Sequence, residues 1–188
     1  MASYDYGKQE VIDYIVQMAK KKDEYDTFSI LDVGTCDGKW ADMIRAAFEA
    51  ELLDENEMPE LVIDGVEAFK PNALRCINKY DNFYVGNVGD YHWQYLRYDV
   101  VIFGDVIEHM EVAAAEWCLD YAVHNAAEVI VGVPYLYKQG AIYGNPYEVH
   151  IQDDLTHELF MERYGRLGWQ TLIQPTGDYE YFIKAKEA

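Results

Sequence analysis

Apolar and polar positions along this chain alternate between two periods, and the switch points divide it into elements. Val11, Ile12, Ile15, Val16 and Met18 recur at helical spacing, broken by Asp13, Tyr14 and Gln17, which predicts an amphipathic helix over 8–21. The lysines Lys20, Lys21 and Lys22 close it, as cations suit a helix C-terminus. Phe28 to Val33 is a short apolar run ending at a glycine, the pattern of a buried strand. Trp40, Met43, Ile44, Ala47 and Phe48 return to helical spacing over 39–51, and DENEMPE is a polar, proline-containing loop. LVIDGVEAF predicts a second strand interrupted at Asp64 and Gly65, with a helix from about Pro71, where proline suits the first turn. NFYVGN, YDVVIFGDV and EVIVGVP predict strands three to five, with a helix over 110–126 before the fifth.

Strands and helices alternate to this point, so right-handed crossovers and a parallel sheet covered on both faces are expected. The tail departs from that rule. DDLTHELFMERYGRLGW predicts a helix capped by Asp153 or Asp154 and stopped at Gly165 or Gly168. WQTLIQPTGDYEYFIKAK then predicts a hairpin turning at Pro-Thr-Gly-Asp, with Tyr179, Tyr181 and Ile183 on one face. The expected fold is therefore α/β: a Rossmann-like seven-stranded, mostly parallel sheet, closed by a C-terminal antiparallel hairpin, with helices on both faces. No repeat or linker divides the chain, so 1–188 is read as one domain. Its N-terminal segment 1–26 is expected to cover the site, and the long 134–152 loop to form the substrate side.

Composition narrows the function. A net charge of −19, with 34 acidic against 15 scattered basic residues, argues against nucleic acid as a partner, because phosphate binding depends on clustered Lys and Arg. It disfavours anionic lipid as well, and a neutral or cationic small molecule suits the field better. No apolar run approaches the ~18 to 20 residues of a membrane span, and no secretory signal is legible. Three cysteines, Cys36, Cys76 and Cys118, show no CxxC spacing and read as reduced thiols in a cytoplasmic protein.

The chemistry concentrates at strand ends. SILDVGTCDGKW places Asp32 near the end of strand one, two positions before Gly34, with Cys36 and Gly38 following. In open α/β sheets ligands sit beyond the carboxyl ends of the strands, where glycine lets backbone approach them. Glu67, at the end of strand two, can accept hydrogen bonds from ribose hydroxyls. Asp64 competes for that role, and the separation from Asp32 exceeds the ~20 residues of a dinucleotide fingerprint, with DENEMPE supplying the excess. The third junction offers Gly86 and Asn87, or Asp90 if the loop runs one step longer. The fourth, YDVVIFGDVIEHM, carries Gly104, Asp105, Glu108 and His109.

Asp32, Gly34 and Gly38, followed by the other three junctions in order, resemble the class I S-adenosylmethionine-dependent methyltransferases of small-molecule type. Their first motif runs acid-x-Gly-x-Gly-x-Gly, and Cys36 departs from it. The resemblance implies S-adenosyl-L-methionine as cofactor, held by Asp32, Gly34, Thr35, Cys36, Gly38, Glu67, Ala68, Asn87, Val88, Gly104 and Asp105. The Gly-Asp ending of the fourth strand is unlike the Asn/Asp-Pro-Pro-Tyr/Phe of enzymes that methylate amide or base nitrogen. Methyl transfer to oxygen, nitrogen or sulfur of a small acceptor is implied.

Catalytic candidates are His109, His150 and Glu108, with histidine the natural base near neutral pH. In the long loop Tyr135, Tyr137, Tyr143, Tyr147, Glu148 and His150 would form an aromatic, weakly acidic wall suited to a cationic group. Asp105, His109, Glu148 and His150 contain metal-ligating types, but His109 lacks a repeated Glu-x-x-Glu-His pattern, and no metal is expected. Exposed tyrosines would suit a homodimer face. Rival readings are a catalytically silent protein of the same fold, used for binding or as a scaffold, and a nicotinamide-dependent oxidoreductase. The glycine spacing and closing hairpin disfavour the second.

Overall fold

The computed structural model describes residues 6–53, 57–92, 97–142, 144–175 and 177–185. Helices α1 (Lys8–Ala19), α2 (Lys39–Leu53), α3 (Lys70–Cys76), α4 (Val112–Asn125) and α5 (His157–Tyr164) alternate with strands. The strands are β1 (Thr27–Val33), β2 (Glu60–Glu67), β3 (Asn82–Val85), β4 (Tyr98–Gly104), β5 (Ala126–Pro134), β6 (Gln170–Ile173) and β7 (Tyr179–Ala185). They form one sheet in the order β3-β2-β1-β4-β5-β7-β6. The pairs among β1 to β5 are parallel, whereas β7 runs antiparallel to both β5 and β6.

The central strands are apolar on both faces because both are covered. Phe28, Ile30, Ile63, Val100, Ile102 and Ile130 pack against α1 and α2 through Ile12, Ile15, Trp40 and Ile44. Leu31, Val33, Val101, Phe103, Val129 and Val131 pack against α4 and α5 through Leu119, Ala122, Phe160 and Tyr164. On β7 the period-2 alternation holds: Tyr179, Tyr181 and Ile183 face the α1 side and Phe182 the α5 side. Among the described residues no helix is long and apolar enough to cross a membrane.

Two sequence expectations change. Strand β2 is not interrupted at Asp64 and Gly65: both stay in register opposite β1. The Asp64 carboxylate accepts the Asn82 backbone and side-chain N–H groups and the Tyr98 hydroxyl, so it is satisfied inside the sheet. Gly65 is there because a Cβ would stand 2.8 Å from the Phe83 ring. Helix α5 is capped by Thr156, whose hydroxyl accepts from Leu159 N–H, not by Asp153 or Asp154. Asp154 pairs instead with Arg163 at 2.8 Å. The helix tightens into a single turn over Gly165–Leu167 and stops at Gly168, which takes φ 80°. Residues 54–56 of the DENEMPE loop and Thr176 of the hairpin turn lie outside the described residues.

Candidate active site

Register brings the strand ends together. Val33 stands opposite Val66 on one side and Phe103 on the other, so Gly34, Glu67 and Gly104 emerge level at the carboxyl edge of the sheet. β1 lies between β2 and β4, and the chain crosses to opposite sides from it, which opens a crevice there. A cavity of about 300 Å³ occupies that crevice, a volume at the small end of ligand pockets.

The turn after β1 forms one wall. Gly34 and Gly38 take φ 72° and 79°, and Cys36 takes φ 50°, the left-handed region where a side chain costs energy. Cys36 thus departs from the motif in residue type while keeping the backbone conformation that a glycine serves. We expect Cys36→Gly to stabilise the fold by up to about 1 kcal/mol, and Cys36→Val to cost about 1 to 2 kcal/mol, as read by urea unfolding. Equal stabilities would show that the turn relaxes to suit its side chain.

Glu67 ties two loops together. Its Oε2 accepts Cys36 N–H at 2.9 Å and its Oε1 accepts Phe69 N–H at 2.7 Å. Burial raises its pKa, while those two backbone bonds work against the rise. Each oxygen retains a lone pair in a side chain that lines the cavity. Ala68, Asn87 and Val88 line the adjoining wall. Asn87 Oδ1 accepts Gly89 N–H, which pins the third junction, and Asp90 lies outside this cavity.

The far wall comes from β4 and the long loop. Asp105 takes φ 58°, and burial pushes its pKa up to about 6 against the opposing effects of Tyr179 and Lys8. Glu108 is fully buried, and burial followed by the Asp105 charge holds its pKa well above the carboxylate range. His109 and His150 meet edge to face with ring centroids 4.6 Å apart. Burial, then the neighbouring His150, lowers His109 to about 4, and burial lowers His150 too. His109 is thereby disposed to the neutral form at pH 7, and the shift of His150 runs in the same direction. The loop is stitched down beside them: Ile151 N–H and Gln152 N–H both donate to Glu108 O at 2.8 and 2.9 Å. The Gln152 amide donates to Ile107 O and Met110 O. That stitching carries His150 to His109.

The sequence candidates Gly34, Thr35, Cys36, Glu67, Ala68, Asn87, Val88, Gly104, Asp105, Glu108, His109 and His150 all line this cavity. Asp32 and Gly38 do not. The alternation of β1 turns the Asp32 side chain toward the α1 and α2 side, fully buried, where it accepts the Tyr80 hydroxyl at 2.6 Å. Gly38 instead makes room for Lys79 and Cys76, the nearer of which would stand 2.7 Å from a Cβ. No described residue of α1 is among those lining the cavity; the helix packs on a sheet face beside it, with Lys8 Nζ 5.5 Å from the ring centroid of the lining residue Trp40. Residues 1–5 lie outside the described residues.

Of the loop tyrosines, Tyr137 and Tyr147 reach the cavity with Glu148, whereas Tyr135 turns away to bond Glu180. Tyr143 lies outside the described residues. Sequence reasoning missed Asp37, Trp40 and Asn72 as lining residues. Trp40 looked like a core position, and it is one, but its indole edge also floors the cavity. A Cβ on Gly104 would stand 2.4 Å from Trp40 Nε1, which is why β4 ends in glycine. Asn72 follows Pro71 in the first turn of the helix after β2, a position that could have marked it.

No known family model matches this sequence, and no curated protein matches it either. Solved structures do match in fold. The N-terminal domain of EvdMO1 with S-adenosylhomocysteine bound superposes with a TM-score of 0.65 over 97% of this chain and 82% of that chain, at 11% identity. Magnesium protoporphyrin IX methyltransferase (ChlM) from Synechocystis PCC 6803 with bound S-adenosylmethionine gives 0.59 over 96% and 80%, at 12% identity. The small RNA methyltransferase HEN1 gives 0.64 over 100% of this chain but 26% of its own, at 15% identity. This is the class I methyltransferase fold. Within it, the crevice at the ends of β1, β2 and β4 is the place the sequence motifs marked out. Acceptors as unlike as a porphyrin and a small RNA are named among these matches, so the fold does not select the acceptor.

Proposed function

We propose that this protein is an S-adenosylmethionine-dependent methyltransferase that acts on a small, neutral or cationic acceptor. The observation that carries this reading is the level meeting of the glycine turn, Glu67 and Gly104 at one cavity within the methyltransferase fold. Glu67 has the lone pairs to accept two ribose hydroxyls, and Ala68 and Val88 offer small apolar contacts for adenine with Asn87 at its edge. The backbone of Gly34, Thr35 and Cys36 would lie along the methionine part of the cofactor, with Gly104 and Asp105 nearby. The cofactor supplies an activated methyl on a sulfonium.

Methyl transfer neutralises the sulfonium charge, so the protein's task is to align acceptor, methyl and sulfur and to exclude water. Trp40, Tyr137 and Tyr147 supply aromatic walls. Glu148, beside the two tyrosines, favours an acceptor that carries positive charge. The net charge of −19 points away from a polyanionic acceptor such as RNA. His109 and His150 stand at the acceptor end.

Calorimetric titration tests the reading. S-adenosylhomocysteine is expected to bind at micromolar strength and NADH not to bind. Tight NADH binding would favour the oxidoreductase alternative. Cofactor binding with no methyl transfer to any acceptor in a labelled-cofactor screen of cell extract would favour the catalytically silent protein.

A further inference from the structure

We propose that Glu108, His109 and His150 form a binding site for one divalent first-row transition-metal ion, from manganese to zinc, at the acceptor end of the cavity. The sequence pattern argued against a metal because His109 stands outside a repeated Glu-x-x-Glu-His motif. The tertiary fold supplies the second imidazole from another loop. One ligand atom from each of the three residues can be chosen so that all lie within 4.8 Å of one another. Ligands held at 2.0 to 2.2 Å from an ion sit ~3 to 4 Å apart, so small side-chain rotations would close the set.

Three independent features point to an ion. The first is the state of the imidazoles. His109 Nδ1 lies 3.2 Å from Val149 O, and His150 Nδ1 lies 2.7 Å from Tyr137 O. A carbonyl oxygen only accepts, so each Nδ1 carries a proton and is engaged, which leaves Nε2 as the ring atom able to ligate, the arrangement of a metal-binding histidine. The second is Glu108, which is 0% exposed and has no hydrogen-bond partner at either carboxylate oxygen. A buried carboxyl without donors is costly, and a coordinated cation is one of the few groups that satisfies it. The third is rigidity. The bonds from Ile151, Gln152 and the Gln152 side chain fix both ligand-bearing segments together, as a preorganised site needs.

Two imidazoles and one carboxylate select a transition ion over magnesium or calcium, which prefer all-oxygen ligands. Three protein ligands leave coordination positions open, and all three residues line the cavity. The acceptor class is thereby narrowed, on the methyltransferase reading above, to a hydroxyl-bearing molecule whose oxygen completes the coordination. The bound hydroxyl gives up its proton to solvent more readily. Its oxygen lone pair then forms the new C–O bond while the C–S bond breaks with its electron pair remaining on sulfur. A methyl ether and a neutral thioether result.

The test uses the full chain, stripped with chelator and titrated with cobalt(II) chloride at pH 7.5, with binding read by calorimetry and by visible ligand-field absorption. One equivalent per chain is expected, with a visible band. In His150→Ala and Glu108→Gln, each checked for a native circular dichroism spectrum and unfolding midpoint, the dissociation constant should rise by about 100-fold or more. Should one variant fail to fold, the other decides. Absence of saturable binding, full binding in a folded variant, or displacement of cobalt by an equal concentration of magnesium would each overturn the proposal. S-adenosylhomocysteine is titrated in parallel. Its binding without cobalt binding would sink the ion alone, and cobalt binding without it would leave the ion site and sink the methyltransferase reading.

Discussion

Glu67→Ala is expected to weaken S-adenosylhomocysteine binding by about 10- to 100-fold, the equivalent of ~1 to 3 kcal/mol, measured by calorimetry at constant salt. Two losses combine. The ribose hydroxyls would lose a charged acceptor inside a cavity where water replaces it poorly. The Cys36 and Phe69 N–H groups would lose the carboxylate that ties the β1 turn to the end of β2. Glu67→Gln separates these effects. One amide oxygen can still accept, whereas the NH₂ group faces an N–H donor, so an intermediate loss is expected. The unfolding midpoint should fall in both variants, because the tie is present without ligand. Unchanged affinity in Glu67→Ala would mean that another group holds the sugar.

Asp32→Asn is expected to leave cofactor affinity within about threefold and to stabilise the protein at and above pH 7 by ~1 to 3 kcal/mol. Asp32 is fully buried, and burial pushes its pKa up to about 7, with the Tyr80 hydroxyl and Lys8 opposing the rise. The sign follows from linkage. Below about pH 4 the carboxyl is protonated in folded and unfolded chains alike, and it carries no penalty. Between about pH 4 and 7 the unfolded chain ionises while the folded chain keeps the proton, so stability declines, and above pH 7 the loss levels off. Asparagine does not ionise and keeps an oxygen for the Tyr80 hydroxyl, so the variant should gain nothing at pH 4 and most above pH 7. Urea unfolding across pH 4 to 8 measures this. A variant less stable than wild type at pH 8 would show that Asp32 is held ionised by Lys8. A large loss of cofactor affinity would return Asp32 to the site.

The two acids of the opening motifs thus occupy different places, and the reason they look alike in sequence is instructive. Both stand near the end of an apolar strand, and linear spacing does not record which face a side chain takes. Along β1 the alternation assigns Phe28, Ile30 and Asp32 to one side, toward α1 and α2. On β2, Glu67 is the last residue, level with Gly34 and Gly104, where the sheet ends and the crevice begins. A register one residue shorter in β1 would have reversed the assignment. The same limit explains Trp40. Its helical spacing marked a core residue, but its contact with the end of β4 depends on the packing of α2 across the sheet.

The two histidines show the opposite limit. Each is a reactive type within a segment of interest, but nothing in the order of residues pairs them. They meet because backbone N–H groups of the long loop bond the carbonyl of Glu108, a contact between main-chain groups that every residue possesses. Side-chain identity does not advertise such a contact.

The order of residues carries the periodic pattern, and with it the element order, the covered parallel sheet, the closing hairpin and the strand-end junctions where chemistry collects. These follow from local geometry: a period of 3.6 or 2, a glycine where a chain must turn, a continuous apolar run where both faces are buried. Which acid faces the cavity, which loop tyrosines reach it, and the convergence of Glu108, His109 and His150 emerge only on folding. Those outcomes depend on register and on contacts between segments distant in the chain. Their energies belong to pairs of residues, which a one-dimensional pattern does not contain.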